Sequence, residues 1–135
     1  MRAVEFALVL SILVHAVPGR ADAQYDGSTL MKCAIQTVLV CDDPSVCVRG
    51  TAQTVSLPAV MQIDVGKRLI SGDASGRTAT ITSTNRNNGR LMMHGTETGL
   101  GYVGGTIVIM EESGRMLAAV VGREGGSLMF GKCGM

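Results

Sequence analysis

Four cysteines, Cys33, Cys41, Cys47 and Cys133, constrain this chain more tightly than any other feature of it. Three crowd into one short stretch and the fourth stands close to the C-terminus. A zinc site wants ligands paired at C-x2-4-C spacing, usually with histidines. Here the gaps are wider, and after residue 23 the only histidine is His94. A redox C-x-x-C is absent as well. An even number of cysteines in a small chain reads instead as a disulfide framework, here of two structural bridges. Four cysteines allow three pairings. Between Cys41 and Cys47 lies Asp42-Asp43-Pro44-Ser45, strong turn chemistry in which Pro presets its own φ and Asp side chains bond the backbone just ahead. Cys41 and Cys47 are therefore expected to face each other across a short hairpin, leaving Cys33 to pair with Cys133. In the loop-entropy picture a link closing about 100 residues contributes about 4 to 5 kcal/mol. Such a bridge would tie the first strand to the last.

The N-terminal stretch MRAVEFALVLSILVHAVPGRADAQ begins with Arg2, has an apolar core from Phe6 to Val17, and then reaches Pro18, Gly19 and the small-residue pattern Ala21-Asp22-Ala23. That is the layout of a secretory signal peptide, residues 1–23, cut after Ala23. Its core of about 12 residues is short of the ~20 that a membrane-spanning helix needs. The expectation is a periplasmic or secreted protein that does not span a membrane after cleavage. Residues 24–135 then make a single β-rich domain, long enough for one compact core.

From Leu30 onward, short β-branched or Met-rich runs alternate with Gly, Asn and Ser, without a 3.6-residue period. The predicted strands are 31–41, 46–57, 60–65, 68–71, 77–84, 90–96, 105–111, 115–121 and 127–132. Alternation is clearest in RTATITST, where Thr78, Thr80, Thr82 and Thr84 are expected to share a wet face opposite Ala79 and Ile81. Asn87-Asn88-Gly89 and Glu112-Ser113-Gly114-Arg115 supply the residues tolerant of positive φ that tight hairpins require. The predicted fold is all-β, a small antiparallel up-and-down β-barrel of about eight strands, with a two-sheet β-sandwich as the alternative. Closure is favoured because it removes exposed edges. With no Trp in the chain, Met31, Met61, Met92, Met93, Met110, Met116 and Met129 are read as core filler.

Catalytic signals are weak. His94 has no positioned nucleophile in its neighbourhood, and along a strand it would face away from Glu97. Thr98-Gly99-Leu100-Gly101-Tyr102-Val103-Gly104-Gly105 lacks the Lys-Ser/Thr of a phosphate loop and a following helix. The protein is accordingly expected not to be an enzyme, with no catalytic residues, no metal and no cofactor. A net charge of +1, no basic run and few aromatic residues argue against nucleic acid. One surface feature is a candidate partner site: Arg86, Asn87, Asn88 and Arg90 put two guanidinium groups on a hairpin tip, where they could grip a carboxylate or an anionic envelope polymer.

The turn from Cys41 to Cys47 followed by Val48, the segment LPAVMQIDVGKRLIS, the run SGRMLAAVV and the end FGKC together resemble a family of uncharacterised small exported proteins of proteobacteria. That resemblance implies export and a disulfide-tied β domain. More distantly, the plan is similar to the periplasmic lysozyme inhibitors of the membrane-bound C-type class, which are small disulfide-tied β-barrels. Function is expected to be non-enzymatic binding of an unknown protein or cell-envelope component by a monomer or weak oligomer, with inhibition as one form of it. The alternative is a carrier of a small apolar ligand inside a lipocalin-like barrel, which a tightly filled interior would exclude.

Overall fold

A computed structural model of the chain describes residues 25–43, 46–73, 76–99 and 103–134. The proposed signal peptide lies outside them. Nine antiparallel strands are present among the described residues: β1 (Met31–Asp43), β2 (Val46–Gly50), β3 (Val60–Asp64), β4 (Leu69–Gly72), β5 (Thr78–Asn87), β6 (Arg90–Glu97), β7 (Gly104–Met110), β8 (Arg115–Val121) and β9 (Gly126–Gly134). From β3 to β9 each strand pairs with the next, as short turns favour. β1 closes the circle by pairing with β3 on one side and β9 on the other. The fold is a closed eight-stranded antiparallel barrel with β2 as an extra strand, folded back on the far half of β1. Both expected disulfides are present: Cys33–Cys133 joins directly opposed residues of β1 and β9, and Cys41–Cys47 spans the β1–β2 hairpin. Such bridges persist in an oxidising compartment.

Two local expectations need correction. The run 46–57 is not one strand. After Gly50 the chain makes a 3-10 turn, Ala52–Val55, because the Thr54 hydroxyl donates to the Thr51 carbonyl at 2.7 Å and accepts from the Thr51 N–H at 3.2 Å. This local bonding competes with a sheet ladder. Nor do the four threonines share a face. The register against β6 slips between Ile81 and Ser83, a bulge with Thr82 as the extra residue. Beyond a bulge the inward and outward sets exchange, so Thr84 falls in register with the buried Met93, although like Thr80 and Thr82 it stays exposed.

Inward-facing residues of β6, β7, β8, β9 and β1 line up in rungs across the strands. One rung is Leu91, Ile109, Met116, Gly131 and Ile35, and the next is Met93, Ile107, Ala118, Met129 and Val38. These two rungs, with Met31, Met61, Ile63, Ile81 and the Cys33–Cys133 bridge, form the buried core. Five of the seven methionines read as core filler are in it, while Met92 is only half-buried and Met110 is exposed. Each large side chain buried there contributes about 1.5 to 3 kcal/mol.

Candidate functional site: the open end of the barrel

A third rung continues the series and ends it. It consists of Gly95, Gly105, Val120, Ser127 and Val40, small side chains where the middle rung has Met and Ile. Gly95 and Gly105 are directly opposed, and the backbone needs them bare. A Cβ on Gly105 would stand 2.6 Å from the Ala119 carbonyl, and one on Gly95 would stand 3.0 Å from that of Thr80. Glycines of this kind let strands bend sharply in a small barrel. They also remove volume. The result is a cavity of ≈ 110 Å³ floored by Met61, Met93, Ile107 and Met129 and walled by Ile70, Ala79 and Val120.

Leu57, Pro58, Val103 and Gly104 rim its mouth, with the only two charged groups among its described lining residues, Arg77 and Glu97. The guanidinium of Arg77 meets the Glu97 carboxylate through two parallel bonds, Nε to Oε1 and NH2 to Oε2, each 2.6 Å. Its NH1 donates to the carbonyl of Ser56. Ser56 closes the 3-10 turn in left-handed backbone geometry, so one side chain fastens that turn to the rim. Glu97 is 10% exposed and Arg77 32%. Hydrogen bonding to Glu97 raises the Arg77 pKa further, against the opposing effect of burial, so the guanidinium stays charged.

The opposite end is closed. Tyr25 is packed into the core cluster just ahead of β1, and Gly27 lies against Gly66 in the β3–β4 turn so closely that a Cβ on Gly66 would stand 2.6 Å from the Gly27 carbonyl. Burial raises the Tyr25 pKa, and the negative charge of Glu111 adds to the effect.

At this end too lies the β5–β6 hairpin with the four residues predicted to bind a partner. Arg86 is held by Glu111 through Nε–Oε1 at 2.6 Å and NH2–Oε2 at 3.0 Å. Asn87 and Arg90 are cross-strand partners flanking Asn88-Gly89, both of which have positive φ. Asn87, Asn88 and Arg90 are exposed. The hairpin brings the four together, with Arg86 already engaged. His94 lies on the outer wall, its Nδ1 2.7 Å from the Thr106 hydroxyl, while Glu97 turns inward to the mouth.

Sequence reasoning passed over Arg77, Glu97 and the third rung. The available signal was Gly95 within one strand and Gly104-Gly105 at the start of the next, two glycine positions that a hairpin can set opposite each other. No family model, curated protein or solved structure matches the chain.

Proposed function

We propose that this protein is a non-enzymatic binding barrel whose open-end cavity holds a small apolar group, as a carrier or receptor of the molecule bearing it. The observation that carries this reading is the ≈ 110 Å³ space walled by aliphatic and thioether side chains. A dry apolar cavity of about 150 Å³ binds benzene or xenon; this one is smaller but opens to solvent at its mouth, so it suits the end of a chain or part of a ring rather than a whole lipid. In this reading residues 1–23 are removed and the barrel works in the periplasm or outside the cell. The test is an NMR titration with benzene that follows the methyl groups of Met61, Met93, Met129 and Ile107. Saturable shifts confined to those residues are expected, and they should vanish in Ala79→Leu, which fills the cavity. Unchanged spectra up to solubility would sink the reading.

A second reading, docking of a protein or envelope component on the outer wall, is favoured by one observation. Leu117 and Phe130 are cross-strand partners on β8 and β9, with Leu128 two residues away facing Leu39 of β1. Leu117, Phe130 and Leu128 are 45%, 40% and 38% exposed. Clustered exposed apolar residues of this kind mark contact surfaces. Replacing Leu117 and Phe130 by Ser should abolish capture of such a partner and leave benzene binding intact.

A further inference from the structure

Resting on the cavity as the binding site, we infer that its ligand is neutral at the mouth, an ester, amide, alcohol or unsubstituted ring, and that carboxylates such as fatty acids are rejected. The charges at the rim decide which heads can bind. Arg77 is the cation there, and a carboxylate head would need it. Each of its three nitrogens already donates, Nε and NH2 to Glu97 and NH1 to the Ser56 carbonyl. Glu97 is 10% exposed, so a ligand carboxylate that displaced it would leave one negative charge poorly solvated beside another. A carboxylate that did not displace it would still lose water next to a fixed like charge. Both routes are costly in a partly buried site. A cationic head meets the mirror problem at the guanidinium. A neutral head meets a pair whose charges cancel, while its apolar tail gains the floor of Met61, Met93, Ile107 and Met129.

The test compares methyl hexanoate, hexanoate and hexylamine at pH 7.5 by calorimetry or NMR titration, first with the unaltered protein. The ester should bind roughly tenfold or more tightly than either ion. In Glu97→Gln, which keeps a carbonyl oxygen for Arg77 but leaves its charge unbalanced, hexanoate should gain until it matches or exceeds the ester. A melting curve for that variant checks that it is folded, and the comparison within the unaltered protein stands without it. Hexanoate binding the unaltered protein as tightly as the ester would overturn the inference and leave the cavity reading standing. Failure of all three to bind would overturn both.

Discussion

At one end of the barrel, Tyr25 is packed into the core cluster, Gly27 lies on Gly66, and the Cys33–Cys133 bridge belongs to the same core. At the other, the inward rung shrinks to Gly95, Gly105, Val120, Ser127 and Val40, and a charged pair with one short turn borders a space that no described side chain fills. The same strands run through both ends, but one is packed with large side chains and the segment ahead of β1, and the other is lined by small residues and bordered by the 3-10 turn. The difference teaches that stability in this molecule is concentrated where the apolar rungs are full. The end that gives up such packing is the end able to receive a ligand.

The two ends differ most at the Cys33–Cys133 bridge. Replacing Cys33 and Cys133 together by Ala should lower unfolding free energy by about 4 to 5 kcal/mol, against about 2 for Cys41 and Cys47, since the smaller loop constrains the unfolded chain less. Urea denaturation of both double variants decides it, and equal losses would refute the larger loop's greater constraint on the unfolded chain. Tyr25→Ala should cost about 3 kcal/mol by opening a void in the core cluster, whereas Leu57→Ala on the half-buried rim should cost about 1. Thermal melts showing the reverse order would undo the contrast.

Acid–base behaviour sharpens it. The pKa of Tyr25 is raised above its ordinary 10.0, so the folded state favours the protonated phenol. That contribution is fully present below pH 10 and is lost as pH rises through the folded-state value. Stability measured from pH 8 to 11.5 should therefore fall at the alkaline end, and fall less in Tyr25→Phe. The smallest effect belongs to the open end: Ala79→Leu should change stability by no more than about 1 kcal/mol, in the stabilising direction, while eliminating benzene binding. A large loss there would mean the space is not available to a side chain.

Much of the fold was legible because its signals are local. The turn residues between Cys41 and Cys47, the glycines that end runs, and the β-branched runs themselves act within a few positions. What was missed depends on register. Thr78 to Thr84 looks like one alternating strand until the pairing with β6 inserts a bulge at Thr82. The cavity arises only when Gly95 is set against Gly105 and both against Val120, and nothing within any one strand announces it. Arg77 and Glu97 are 20 residues apart in the chain, with no motif to join them. The guanidinium pair at the hairpin tip was legible as a cluster, but the engagement of Arg86 with Glu111, 25 residues onward, was not.

The position of β1 between β3 and β9 also has a temporal meaning. A barrel whose first strand is completed by its last, over a separation of 100 residues, cannot close until the whole chain is present, and pairings so distant in sequence are slow to form. A chain emerging from its N-terminus exposes the Cys33, Cys41 and Cys47 thiols together, well before Cys133. Cys33 must then either wait unpaired or be released from a neighbouring thiol by exchange, a process of seconds to hours unless an isomerase assists. The final strand acts as the clasp of a bracelet, and truncating β9 should leave an open sheet with mispaired cysteines rather than a smaller barrel.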